Sequence, residues 1–140
     1  MKLKIARANM WAASLEDRPA SLAEKLEALH QAGADLEFIM ARRAFEEPGK
    51  GVVFLAPLQG VKQTKAASAA GFYRTEALHS VRIEGADAPG LAAKVTRCVA
   101  SAGINLRGFS VSVLGKNFVA YLAVDDEEDA RTAARVLKRL

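Results

Sequence analysis

The sequence predicts an α+β fold made of two copies of one small βαββαβ unit, side by side, with antiparallel sheets and the helices on one face. Three observations lead there: a short motif occurs twice at one fixed offset, the order of hydrophobic periodicities repeats, and glycine and proline fall at matching boundaries. The motif is Asp-x-Pro-(Ala/Gly), a helix-length spacer, then Ala-Gly-x-(Asp/Asn)-Leu. Asp17, Pro19, Ala23, Ala32, Gly33 and Leu36 each recur seventy positions later, as Asp87, Pro89, Ala93, Ala102, Gly103 and Leu106. That period is longer than the roughly 20–45 residues of a solenoid repeat. The chain therefore reads as a duplicated small domain, 1–78 and 79–140, the second copy lacking an obvious final strand.

The elements follow in order. Residues 3–13 read as a strand. After Pro19, Leu22, Leu26, Leu29 and Gly33 recur at i, i+4, i+7 and i+11, one stripe of an amphipathic helix. The second copy sets Leu91, Val95, Cys98 and Ala102 at the same spacing. Each helix follows a proline and ends at a glycine, the asymmetry expected of helix termini. Cys98 on this stripe reads as a small core residue, because apolar packing suppresses the thiolate.

Two hairpins come next. One runs 36–43, turns at Pro48-Gly49-Lys50-Gly51 and returns over 52–56; the other runs 106–114, turns at Gly115-Lys116-Asn117 and returns over 118–124. In the second, Phe109, Val111 and Val113 alternate with Gly108, Ser110 and Ser112, giving an apolar face and a small-residue face. A second helix follows in each half, over 60–71 and 126–140. The latter carries Ala130, Ala133, Ala134, Leu137 and Leu140 on one face, with acids first and Lys138 and Arg139 last, as the helix dipole favours. The strand-like segment 72–84 has no linker composition, so it is expected to close the first unit's sheet and open the second's. The second unit's own fourth strand is either missing or drawn from elsewhere, with the 72–78 segment and the N-terminus as sources. Strand, helix, strand, strand, helix, strand is the split βαβ, ferredoxin-like arrangement.

Composition excludes several classes. Half the chain is apolar (51%), so a core can form. The apolar runs fall short of the roughly 20 residues of a spanning helix, and the N-terminus lacks a signal-peptide pattern. A cytoplasmic protein without a membrane partner is expected. One cysteine forms no internal disulfide, and His30 and His79 stand apart from other ligand-type residues, so no metal or cofactor is expected. The net charge of +4 is spread among sixteen acids without a basic tail, which reads as a mixed-charge surface and not a nucleic-acid face. Arg42 and Arg43 can clamp an acid, but neighbours on a strand point to opposite faces. Trp11 reads as core or interface.

Asp87-Ala88-Pro89-Gly90-Leu91 leading to Ala102-Gly103-Ile104-Asn105-Leu106 resembles the signature of the ACT domain, a ferredoxin-like module that binds amino acids in metabolic regulators. Asp17-Arg18-Pro19-Ala20-Ser21-Leu22 leading to Ala32-Gly33-Ala34-Asp35-Leu36 is similar, with Ala20 and Asp35 as departures. The resemblance spans the chain as a tandem ACT protein without a catalytic domain. It implies an amino-acid ligand and, as partner, a homodimer or a regulated enzyme.

The motif has a physical rationale of its own. A strand ending at Asp, a proline and a glycine-type turn leave N–H groups free at a helix N-terminus, a site for a carboxylate. Asp17 or Asp87 can accept the ligand's ammonium, and Asn105 can offer an amide. Within one unit, turn and corner lie about 20 Å apart for a helix of roughly thirteen residues. The family arrangement implies two sites between neighbouring units, one joining the Asp17 turn to Asn105 and Leu106, the other joining the Asp87 turn to Asp35 and Leu36. The first carries Ala20 where glycine is usual; the second brings Asp35 toward an incoming carboxylate. The competing reading makes both regions plain turns, with Asp17 and Asp87 as helix caps and the glycines as C-caps.

Three functional classes are thus weighed. The preferred one is a non-catalytic amino-acid sensor, with a ligand-free structural or protein-interaction module as its alternative. An acyl-phosphate hydrolase lacks a nucleophile, base dyad or phosphate loop. An RNA binder on the open sheet lacks the stacked aromatics that role needs.

Overall fold

The periodic segments become ten elements among the described residues. In chain order they are β1 (Lys4–Glu16), α1 (Ser21–Gln31), β2 (Phe38–Arg43), β3 (Lys50–Ala56), α2 (Gly60–Ala69), β4 (Tyr73–Ala86), α3 (Leu91–Ser101), β5 (Leu106–Leu114), β6 (Asn117–Val124) and α4 (Glu127–Lys138). The computed structural model describes residues 1–75 and 78–140, together with the strand that carries 76 and 77. Two compact units emerge, Asn9–Thr75 and Met1–Ala8 with Glu76–Leu140. They are not contiguous halves meeting at 78/79, because the first eight residues group with the second unit.

In Asn9–Thr75, β3 runs antiparallel to β1 and to β2, setting Trp11 opposite Leu55 and Phe38 opposite Ala56. The strand order is β2-β3-β1-β4, to which β4 contributes its first residues. The alternation of the strands and the stripe of the helix meet in one core. Leu29 of α1 and Ala67 of α2 pack against Leu15, Val53, Leu55 and Phe72. Leu29 is fully buried, worth about 1.5–3 kcal/mol as a hydrophobic transfer. Trp11 is half-buried against the same cluster, so its role is core packing.

In the other unit, β6 is antiparallel to β4 and β5, with Val81 opposite Leu122 and Val111 opposite Ala120. The order is β1-β4-β6-β5. The N-terminal residues of β1 thus occupy the position of a fourth strand, one of the two sources anticipated. Three polar ties hold them there. The Met1 ammonium donates to the Leu140 carbonyl at 2.7 Å. Arg7 forks onto both carboxylate oxygens of Glu127 at 2.7 and 3.0 Å. The core beneath joins Val81, Ile83 and Leu122 to Val95 and Val99 of α3 and to Ala133 and Leu137 of α4.

Two details depart from the periodicity. β1 continues through Glu16, three residues past the predicted end at 13, because Ser14, Leu15 and Glu16 pair with Val52, Gly51 and Lys50. On α3 the buried stripe is Leu91, Val95 and Val99. Cys98 lies beside it, half-buried, with its thiol toward the Val136 carbonyl at 3.6 Å. α4 is capped by Asp126, whose carboxylate accepts the Asp129 N–H at 2.8 Å, and its first turn is acidic and its last basic.

The two motif segments make matching backbone bonds. The Glu24 N–H donates to the Ala20 carbonyl at 2.9 Å, and seventy residues on the Lys94 N–H donates to the Gly90 carbonyl at 3.0 Å. Ala34 to Leu29 at 3.1 Å is matched by Ile104 to Val99 at 3.3 Å.

Candidate functional site

Each motif turn joins a strand to a helix. The Asp17 N–H donates to the Gly49 carbonyl at 3.1 Å, and the Asp87 N–H to the Lys116 carbonyl at 2.8 Å. The strand end is thereby pinned to the neighbouring hairpin, and the chain then turns through Pro19 or Pro89. It enters the helix from a left-handed residue, Ala20 at φ 69° or Gly90 at φ 80°. Ala20 is the sole non-glycine residue with positive φ among the described residues. Such a conformation costs an L residue about 1–2 kcal/mol. Strain of this kind persists where the surroundings dictate the turn.

Neither α1 nor α3 receives a side-chain cap. Asp17 and Asp87 are therefore not the N-caps that the competing reading made them. The N-terminus of a helix carries roughly half a positive charge and unpaired N–H groups, so the uncapped start of α1 suits an anion.

The side chains around the first turn form two ionic groups. Asp17 accepts from Arg43 Nε at 2.9 Å. Arg18 donates from Nε to Glu16 at 2.9 Å and from Nη2 to Glu24 at 2.7 Å. Those hydrogen bonds, with the charge of Arg18 behind them, hold both carboxyls below their usual range. In return Glu24 first, then Glu16, pushes the Arg18 guanidinium still higher. Arg42 donates from Nη1 to the Arg43 carbonyl at 3.0 Å.

Two cavities flank this turn. One of about 210 Å³ is lined by Asp17, Arg18, Ser21, Leu22, Arg42 and Arg43 among others. The other, about 500 Å³, shares Leu15, Glu16, Arg18 and Ser21 and is completed by Glu24, Lys25 and Lys50. Ser21 is buried between them. The smaller cavity lies below the about 300–1,000 Å³ of drug-sized ligands, the scale of a small metabolite. Arg42 and Arg43 both reach it, although they alternate along β2.

The remaining candidates are distributed as follows. Arg18, Pro19 and Ala20 are exposed on the first turn, as are Ala88, Pro89 and Gly90 on the second. Leu91 is buried in one core with Leu106 half-buried against it, while Leu22 and Leu36 are half-buried against the core of Asn9–Thr75. Asp35 and Asn105 are exposed on corners that follow Gly33 at φ 86° and Gly103 at φ 78°. α1 and α3 each have 11 residues, so turn and corner of one unit are separated by about 16 Å. The sequence reading did not find the Glu16–Arg18–Glu24 group or the Arg43–Asp17 pair. The separations of 6 residues from Arg18 to Glu24 and of 26 from Asp17 to Arg43 belong to no helix or strand period.

Among the described residues no three His, Cys, Asp or Glu side chains gather as a metal site, and no helix is long and apolar enough to cross a membrane.

Comparison with known proteins bears on this geometry. Residues 79–140 match the model of the ACT domain family. No curated protein matches the chain in sequence. Similar solved structures include protein BT0572 from Bacteroides thetaiotaomicron, 18% identical over 96% of this chain and 89% of that one, with a TM-score of 0.78. The ligand-free regulatory subunit of aspartate kinase from Thermus thermophilus is 17% identical over 99% of this chain and 96% of its own, with a TM-score of 0.67. Aspartokinase alpha and beta subunits give 19% identity over 99% and 96%, with a TM-score of 0.66. At these identities the likeness is one of fold, an α+β ferredoxin-like ACT fold.

Proposed function

We propose that the chain is a non-catalytic regulatory protein that senses a small amino acid, and that Asn9–Thr75 is a second ACT unit in addition to the matched one. The duplicated turns, with Ala20 and Gly90 in one conformation, support the tandem reading. Two structures with this fold are described as regulatory subunits of aspartate kinase, which supports a regulatory role.

The observation that carries the ligand assignment is the uncapped start of α1 over a small cavity that also holds Asp17, Arg42 and Arg43. In this reading the ligand carboxylate sits at the helix N-terminus, aided by Ser21 and an arginine. Its ammonium exchanges with Arg43 for the Asp17 carboxylate, a trade of one charge-assisted hydrogen bond for another. Glu16, Arg18 and Glu24 brace the turn. The signal passes to a second copy of the chain or to a regulated enzyme through the ligand's preference for one conformation.

A thermal-shift screen of the proteinogenic amino acids tests this directly. A true ligand at 100 times its dissociation constant adds about 2.7 kcal/mol. Loss of that shift in Asp17→Asn, with the fold retained, supports the site; a full shift in Asp17→Asn removes the turn from it.

A further inference from the structure

A second set of groups, independent of the turn just described, gathers in the unit formed by Met1–Ala8 and Glu76–Leu140. Register sets Arg82 opposite Tyr121, Glu84 opposite Val119, Val119 opposite Ser112, and Asn117 opposite Leu114. Val81, Ile83, Phe118 and Ala120 point into the core under α3 and α4. The alternation of side chains along each strand therefore turns Arg82, Glu84, Asn117 and Val119 to the face those helices do not cover.

That face is concave, with a groove of about 730 Å³ lined by Lys2, Lys4, Arg82, Glu84, Asn117 and Leu114 among others. The volume falls within the about 300–1,000 Å³ typical of small-molecule sites. Gly85 helps to shape it. A Cβ there would lie 3.0 Å from Leu3 Cδ2 and 3.2 Å from both the Lys2 carbonyl oxygen and Phe118 Cε1. The missing side chain lets the N-terminal strand close against β4, which brings the two lysines to the rim.

The groove is built for an anion. Three cations line it against one carboxylate. Arg82 is anchored from beneath, with Nε donating to Tyr121 Oη at 3.2 Å and Nη1 to Glu84. Those bonds fix the guanidinium through Nε and Nη1. The side chain is only 26% exposed, so an approaching anion meets a partly desolvated charge. Lys4 lines the same groove and, after Arg82 itself, helps to hold the Glu84 carboxyl low. Apolar surface lies alongside, since Leu114 is 88% exposed and Leu3 and Val119 line the same groove. Such a combination fits a charged head with a hydrocarbon body.

We infer that this groove binds a small monocarboxylate with an apolar tail, its carboxylate held by Arg82 and by Lys4, its tail against Val119 and Leu114.

The test uses the full chain and three probes of one length: hexanoate, hexanamide and hexylamine. Backbone amide resonances are followed during titration at pH 7. Hexanoate is expected to shift the amides of Glu84, Gly85, Ser112 and Asn117, while the neutral and cationic probes leave them in place. Arg82→Gln should weaken hexanoate by about tenfold, the loss of one charge-assisted contact. Leu114→Asp, at an exposed position that the fold does not need, should weaken it as well through lost tail contact and an added like charge. Three binding results would each overturn the inference. These are equal binding of hexanamide, hexanoate shifts confined to other residues, or unchanged affinity in a folded Leu114→Asp chain. Shifts of the same amides that track protein concentration and not hexanoate would assign the face to self-association instead, and would equally overturn it. The amino-acid screen described above is read out at different residues, so failure of one reading leaves the other standing.

Discussion

Ala20 and Gly90 hold the same left-handed backbone, φ 69° and ψ −7° against φ 80° and ψ 6°, each as the residue that opens a helix. One chain has solved one turn twice, once with the residue suited to it and once without. The alanine carries a methyl group into a region where L residues are strained, and the surrounding turn keeps it there.

Replacing Ala20 by glycine should therefore stabilise the protein. Relief of the left-handed strain is partly offset by the extra freedom of glycine in the unfolded chain, for a net gain of about 0.5–1 kcal/mol. Gly90→Ala should cost a similar amount, because a Cβ at Gly90 meets nothing within 4 Å and only backbone strain operates. Urea unfolding of both variants checks the pair. Opposite signs are expected.

Helix capping gives a second contrast. Asp126 caps α4 through the Asp129 N–H, so Asp126→Ala should cost about 1 kcal/mol. Asp17 caps nothing, and its carboxylate serves Arg43 at the surface. Asp17→Ala should change unfolding free energy much less than Asp126→Ala, measured in the same denaturant.

The N-terminal strand is tied to α4 by an ion pair with a defined pH window. The Arg7 guanidinium, chiefly through its hydrogen bonds, holds the Glu127 carboxyl down from its ordinary 4.5 to about 2, with His79 Nδ1 a further 3.4 Å neighbour. A depressed folded-state value stabilises above the unfolded value and is lost as protons bind. The pair's contribution is thus complete above about pH 4.5 and fades as pH falls through about 2. Glu127→Gln lacks that titration. The stability difference between wild type and Glu127→Gln, followed by urea unfolding, should narrow across that window.

Core positions should respond by volume. Leu29 and Val99 lie on α1 and α3, and both are fully buried. Leu29→Ala should destabilise by about 2–5 kcal/mol, with Val99→Ala smaller because fewer atoms are removed.

Most of the fold was legible because its signals are local and periodic. The α1 stripe at Leu22, Leu26 and Leu29, the hairpin glycines and the acidic start of α4 each act within one element. The end of β1 was not, since Ser14 and Glu16 carry little strand preference and are extended by pairing with β3. Nor was the grouping of Met1–Ala8 with Glu76–Leu140. The sequence left two sources for that fourth strand, and long-range pairing chose between them. Cys98 fits the helical period yet sits at the stripe's margin, where one residue of rotation gave the buried place to Val99. At the site, the twin turns were plain from Asp17, Pro19, Asp87 and Pro89. The Arg43–Asp17 bond spans 26 residues, and no spacing rule reaches that far.

The central claim is that the uncapped start of α1 receives an amino-acid carboxylate while Asp17 receives its ammonium. Backbone amide resonances of Ser21, Leu22 and Ala23, followed through titrations with each proteinogenic amino acid, address it most directly. The account predicts that at least one amino acid shifts all three amides in a saturable way, and that Asp17→Asn weakens it by about tenfold. Saturable binding that leaves those three amides unmoved, or no binding by any of the set, would contradict it.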